Sequence, residues 1–389
     1  VRDTWITNTI PIMTELTTRG APGAQGRAAD GCWIDRAFVL RWGFNNPPRS
    51  FGAVGIWMAP SVDCAIVGPV TAGGTGTVFS SGMHWPEGTE AGGQQPFVYR
   101  AEAHSIRNAG FLTWQTNSPV PPQRIVDMLT WRNGEGGLFW GGYSTFYWAH
   151  QVRAIGNGRV QLAHLATNWG ITGFLADGLG VPNAAGIEVG KYVFDSERDT
   201  LYEDGVVRNV SVNVRHGFAD DPGTVSWVQF ARVAWDAGKG VVFGVGSNPP
   251  NGSYFRFREQ RNLPRASNFT LRRISDPQAS GATDNEYNAR RVDNDTQGTV
   301  ARTPRIAWSS PADESVATGS ITLTVQSEAS EVEFYQANRS LGRVRVLGGF
   351  ATLNFNMASH PHRRAYFWAA AYGSNGAVNA TRVFRVMKF

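Results

Sequence analysis

Lysine is almost missing from this chain. Only Lys191, Lys239 and Lys388 stand among its 36 basic residues, so arginine carries the formal charge of +5. Charged residues of either sign make up only 17 %, below the usual quarter, and no basic run marks a nucleic-acid surface, so no nucleic-acid partner is expected. No apolar stretch approaches the roughly 18 residues of a membrane-spanning helix, so no membrane span is expected. There are two cysteines, Cys32 and Cys64, without a C-x-x-C pair or histidines at zinc-finger spacing, which argues against a structural zinc site. One disulfide and two separate thiols both stay open. Helical periodicity is nearly absent, because glycine or proline interrupts almost every window of ten. There is no G-x-S-x-G elbow, no G-x-x-x-x-G-K-[ST] loop and no G-x-G-x-x-G opening a helix, which excludes the α/β-hydrolase, P-loop and Rossmann classes.

What the chain does contain is 45 glycines, 14 tryptophans and 22 phenylalanines. Runs rich in β-branched and aromatic residues recur at Cys32–Phe44, Phe97–Ile106, Leu138–Ile155, Thr224–Trp235, Val241–Val245 and Ser253–Glu259. Turn-forming clusters such as Asn45-Asn46-Pro47-Pro48 separate them. We read 1–275 as a large all-β domain, an antiparallel β-sandwich or jelly roll with a β-propeller as the alternative. No internal repeat aligns around Trp131, Trp148 and Trp169. Residues 276–303 lose their apolar rhythm and read as a linker. The chain opens at Val1 without a charged and apolar leader, which is expected of an exported protein after signal removal or of a trimmed chain. An extracellular or cell-surface location follows as an expectation.

Residues 304–389 show alternating runs at Ile321–Val325, Val332–Tyr335, Phe350–Phe355, Ala365–Tyr372 and Val383–Val386, the strand length and spacing of a seven-stranded sandwich. The opening Pro304-Arg305-Ile306-Ala307-Trp308-Ser309-Ser310-Pro311-Ala312-Asp313, then Val332-Glu333-Phe334-Tyr335 with Ser340-Leu341-Gly342, and Phe367-Trp368-Ala369-Ala370-Ala371-Tyr372 resemble the bacterial immunoglobulin-like domains appended to secreted enzymes and surface proteins. That resemblance implies a spacer or binder without catalytic residues.

Two strand-like runs carry the candidate chemistry. Side chains alternate along a strand, so in Phe97–His104 the polar Arg100, Glu102 and His104 share one expected face, with Phe97, Tyr99, Ala101 and Ala103 on the other. In Tyr254–Gln260, Tyr254, Arg256, Arg258 and Gln260 line up opposite Phe255 and Phe257. On one concave sheet these faces would offer cations to a polyanion, and Glu102, His104 and Tyr254 as proton-transfer groups. The set resembles the jelly-roll polysaccharide lyases, in which an arginine neutralises a uronate carboxylate and a His/Tyr pair moves protons. The polar faces, read with that resemblance, make Arg100, Glu102, His104 and Tyr254 the catalytic candidates and Arg256, Arg258 and Gln260 the substrate contacts, with Trp148 as a flat aromatic for a sugar ring. The family's middle strand fails here, since in Gln161-Leu162-Ala163-His164 the Gln and His point to opposite faces.

A glycosidase would instead need two carboxylates across a cleft, from among Asp30, Asp35, Glu102, Asp127 and Glu188. No cofactor is required by any motif. The acidic cluster around Asp195, Asp199 and Asp204 supplies oxygens for a structural Ca²⁺, without EF-hand spacing. His150, in register with Phe146 and Trp148, reads as a core histidine. The expected function is a secreted enzyme, lyase or glycoside hydrolase, cleaving a polysaccharide, acidic rather than neutral. The alternative is a non-catalytic glycan-binding, surface or virion structural protein. The two differ in whether Arg100, Glu102 and His104 meet Tyr254 and Arg256 in one cleft.

Overall fold

A computed structural model describes residues 5–7, 14–15, 29–30, 33–41, 54–57, 61–62, 65–75, 81–84, 97–113, 123–140, 147–164, 169–189, 200–216, 227–239, 241–243, 254–258, 304–336, 339–361, 363–372, 378–381 and 383–389. Cys32, Cys64, Gln260, Asp195, Asp199 and the linker 276–303 lie outside these. Every element among the described residues is a strand, so the all-β expectation holds.

The pairing overturns the expected fold of 1–275. From Trp5 to Arg258 every strand pairs in parallel with its neighbours, so this region is not an antiparallel sandwich, jelly roll or propeller. Parallel neighbours cannot be joined by a hairpin. The chain instead travels round a coil and returns beside itself, a β-solenoid.

Three rows of strands run along the coil. Row one stacks Trp33–Asp35, Ala65–Val67, Phe97–Tyr99, the first halves of Gln123–Trp131 and Tyr147–Ile155, then Trp169–Thr172, Thr200–Glu203, Trp227–Ala231 and Tyr254–Arg258. Row two stacks Trp5–Thr7, Phe38–Leu40, Val70–Ala72, Glu102–His104, the second halves of the same two long strands, Leu175–Asp177 and Val206–Arg208. Those long strands join rows one and two into one 15-stranded sheet. Row three is a separate nine-stranded sheet from Thr14–Glu15 to Val241–Phe243.

Inside, like stacks on like. The inward column of row one is Ile34, Ile66, Val98, Ile125, Ala149 and Ile171, which gives way to Tyr202 and Phe230, all at 0 % exposure. Row three answers with Ile56, Met83, Phe111, Leu138, Leu162, Ile187 and Val214. Polar groups are stacked too. Asn133 Nδ2 donates to Asn157 Oδ1 at 2.9 Å and to the Ala103 carbonyl at 3.1 Å, and Asn157 in turn donates to Gln161 Oε1 at 3.0 Å. Each buried amide therefore meets a partner in its own or an adjacent coil.

The corner between rows one and two explains how a short strand turns without a loop. Arg36, Gly68, Arg100, Asp127, Gln151, Gly173, Asp204 and Arg232 all have φ between 49° and 68°, one left-handed residue per coil. Such a conformation is unfavourable for L-residues. The hydrogen-bond ladder continues through it and offsets the cost: Arg36 N donates to Val67 O, Gly68 N to Tyr99 O and Arg100 N to Val126 O, at 2.8 to 3.0 Å. Successive corner residues are separated by 22 to 32 positions. This unequal coil length is why no fixed repeat aligns in the sequence.

Residues 304–389 form a three-stranded sheet, Ile306–Ser310, Ser320–Ser327 and Phe350–Asn356, and a six-stranded sheet that includes Glu331–Gln336, Arg364–Tyr372 and Phe384–Lys388. Pairing here is antiparallel apart from Ser315–Ala317 against Phe384–Lys388. Leu323, Val325 and Ala351 of the first sheet share a buried core with Phe334, Phe367 and Val386 of the second.

The C-terminal region docks on the row one corner. Val67, Tyr99, Val126 and His150 occupy one outward column in register, and the first three share a buried cluster with Tyr335, Tyr366 and Trp368. A buried aromatic side chain removes 150–250 Å² from water, about 4 to 6 kcal/mol each before ordering entropy. Polar contacts rim the patch: Arg100 pairs with Asp313 at 2.7 Å and Arg36 with Glu314 at 3.4 Å, while Gln151 donates to the Ala380 carbonyl. His150 is buried as expected, but against Trp368 at 5.3 Å rather than inside the coil.

Candidate functional site

The corner at Arg100 divides the first polar run. Row one ends at Tyr99 and row two restarts at Glu102, so the alternation changes phase: Val98 points inward, Tyr99 faces the C-terminal region, and Ala101 and Ala103 point inward again. Glu102 and His104 do share an outward face. Arg100 does not join them, because its guanidinium is held by Asp313.

The outward face of row two is a regular, partly solvated ribbon. One column runs Phe38, Val70, Glu102, Leu129, Arg153, Leu175 and Val206; the next runs Leu40, Ala72, His104, Trp131, Ile155, Asp177 and Arg208. At its centre the indole of Trp131 stacks on His104, with centroids 4.2 Å apart and planes 14° from parallel. Trp131 Nε1 donates to Glu102 Oε1 at 2.8 Å, so the coil beneath fixes one carboxylate oxygen. Burial pulls the His104 imidazole below its ordinary pKa, against an upward push from Glu102. The result is an imidazole biased toward its neutral form beside an oriented carboxylate. Cations flank the cluster: the Arg132 guanidinium lies 5.7 Å from the Trp131 ring centroid, and Arg153 meets Asp127 at 3.3 Å. Arg107 and Arg132 are exposed and make no ion pair among the described residues.

No protein-family model matches the chain, and no curated protein matches it by sequence. The site must therefore be read from its geometry.

The second polar run lies elsewhere. Tyr254, Arg256 and Arg258 sit on the last strand of row one, in register with Trp227, Gln229 and Ala231. Six strand steps separate it from Phe97–Tyr99, roughly 29 Å at about 4.8 Å per step. The four residues assigned to catalysis thus do not share a cleft. Trp148 pairs with Arg124 and Gly170 in row one, not row two.

Among the described side chains, the acidic candidates Asp127, Glu188 and Asp204 are paired with arginine, while those of Asp30, Asp35, Asp195 and Asp199 lie outside the described residues. Asp204, a corner residue, accepts from Arg232 Nε at 2.7 Å, with both side chains buried. Glu188 is clamped by Arg159 and by Arg215 at 3.6 Å. Among the described residues no cluster of three His, Cys, Asp or Glu is placed to hold a metal. Sequence reasoning left Trp131 and Arg153 out of the site. Their signal was the position of Trp131-Arg132-Asn133-Gly134 one coil beyond His104-Ser105-Ile106-Arg107, visible only once the coil is known.

Proposed function

We propose that row two is a recognition surface for an elongated acidic polysaccharide outside the cell, centred on Trp131, His104 and Glu102. The observation that carries this reading is the Trp131–His104 stack on an exposed ribbon flanked by Arg107, Arg132 and Arg153. His104 covers one face of the indole and Glu102 takes its N–H, so the cluster offers a polymer the rim of a fixed aromatic stack, and the flanking guanidiniums suit carboxylate or sulfate groups. Coils about 4.8 Å apart give an extended polymer equivalent positions along its length. The C-terminal region, with its resemblance to immunoglobulin-like modules, acts as a docked accessory and supplies no group to this face.

Binding rather than cleavage is the first reading, because the acid, base and arginine of the lyase arrangement are dispersed. Cleavage is the second, favoured by the His104 imidazole, biased toward its neutral form, beside the oriented Glu102 carboxylate. Titration calorimetry with polyuronates, sulfated glycans and neutral polymers tests the first: polyanions bind, binding weakens with salt, and Trp131→Ala weakens it about tenfold, equivalent to about 1.4 kcal/mol. Absence of polyanion binding, or indifference to Trp131→Ala in a folded variant, refutes it. New reducing ends or unsaturated products, lost in Glu102→Gln, would select cleavage.

A further inference from the structure

Where the C-terminal region meets the coil, a half-open cleft of about 520 Å³ remains, within the 300–1,000 Å³ range of small-ligand sites and at a domain junction where such sites concentrate. It is lined by Arg100 and Gln151 of the coil and by Trp308, Asp313, Thr381 and Phe384 of the C-terminal region. Neither region forms it alone. Its aromatic part is fixed: Trp308 and Phe384 pack edge to face, with centroids 4.1 Å apart. Its charged part is neutral as a whole, because Arg100 Nη1 and Asp313 Oδ2 are 2.7 Å apart, each side chain still about one-third exposed.

We propose that this cleft binds an uncharged oligosaccharide. A ligand carrying charge would have to compete with an ion pair already made, at a cost that grows as the cleft excludes water. A sugar need not compete. Its hydroxyls can donate to the outer lone pairs of Asp313 and accept from the remaining N–H groups of Arg100, while a ring face rests against Trp308. The chemistry differs from that of row two, where flanking cations select anions, so this site does not depend on that reading.

The test is fluorescence and calorimetric titration of the full chain with neutral gluco-, manno- and xylo-oligosaccharides. Saturable binding is expected for at least one series, undisturbed by excess polyuronate. Ala312 and Ser309 line the cleft at exposed positions, so Ala312→Phe fills it without touching either core; binding should weaken at least about tenfold while the melting temperature holds. A second filler, Ser309→Trp, guards against one variant misfolding. No saturable binding by any neutral series, binding that survives both fillers, or displacement by polyuronate would overturn the assignment.

Discussion

Removing the Asn133 side chain should cost more than any exposed substitution in the coil, and the cost can be worked from its bonds. Asn133 is 1 % exposed. Its Oδ1 accepts from Ile106 N at 3.2 Å, and its Nδ2 donates to Ala103 O at 3.1 Å and Asn157 Oδ1 at 2.9 Å. Asn157 Oδ1 keeps the Asn133 backbone N–H at 3.0 Å, and the parallel ladder to Gln123–Trp131 serves the Ala103 carbonyl, so Asn133→Ala orphans chiefly the Ile106 amide. Ile106 is essentially buried, and an unsatisfied buried group is costly. A loss of about 1–3 kcal/mol is a sizeable part of the 5–15 kcal/mol that holds a typical domain. Because a solenoid is stabilised through nearest-neighbour coils, the loss should be local. Hydrogen exchange should show lost protection at Ile106 and its neighbours in 97–140, and denaturant unfolding should show an early phase. A shift below about 1 kcal/mol with Ile106 still protected would mean that the ladder is not what satisfies these amides.

Three further outcomes follow. Asp204→Ala should lower stability by about 3–5 kcal/mol, read as a fall in Tm, because it leaves the 4 %-exposed Arg232 side chain with a longer contact to Glu203 and a buried charge short of its partner. Gly134→Ala should destabilise by about 2 kcal/mol or more in denaturant unfolding, since its Cβ would lie 2.0 Å from the Arg107 carbonyl of the preceding coil. His104, whose pKa lies below 6.5 in the fold, resists protonation there, so stability should be full above that value and fall as pH drops below it; thermal melts of the wild type and of His104→Asn should differ in this slope.

The strands themselves were legible, as were their turns, because β-branched and aromatic runs between Gly, Pro and Asn clusters report a pleated chain whatever it pairs with. Pairing direction was not. A three- to nine-residue strand carries no mark that says whether its neighbour is the next strand or the equivalent strand a whole coil later. A fixed period would have said so, but the corners at Gly68, Arg100, Asp127, Gln151 and Gly173 are 32, 27, 24 and 22 residues apart. Their identities conceal them further: three of these five left-handed positions are not glycine, so the usual signal for φ above zero is missing. The strand pattern of 304–389 could be read from strand length and alternation, although only two of its antiparallel pairs, Glu331–Gln336 with Arg339–Arg345 and Arg364–Tyr372 with Val378–Ala380, join strands consecutive in the chain.

The same phase problem governs the site. Glu102 and His104 were placed together by alternation alone, and that part survives. Extending the alternation two residues back to Arg100 crossed a corner, where one left-handed residue resets which side chains face out. That reset gives the corner arginines their use. Arg36 and Arg100 leave the outward ribbon of row two and reach Glu314 and Asp313, so their charge rims the contact with the C-terminal region. The docking should then weaken in acid. Burial raises the Asp313 pKa, but the Arg100 hydrogen bond and the Arg385 backbone N–H outweigh it and hold the carboxyl below 3.8. Its contribution is therefore complete above that value and is lost as pH falls through the folded pKa. Both side chains are about one-third exposed, so the pair is worth at most about 1 kcal/mol beside the buried aromatic patch; thermal melts of the full chain should fall slightly in that range, and Arg100→Ala should flatten that slope. An Arg100→Ala protein with the same acid slope as wild type would show that the buried Tyr99–Trp368 patch alone holds the two regions together.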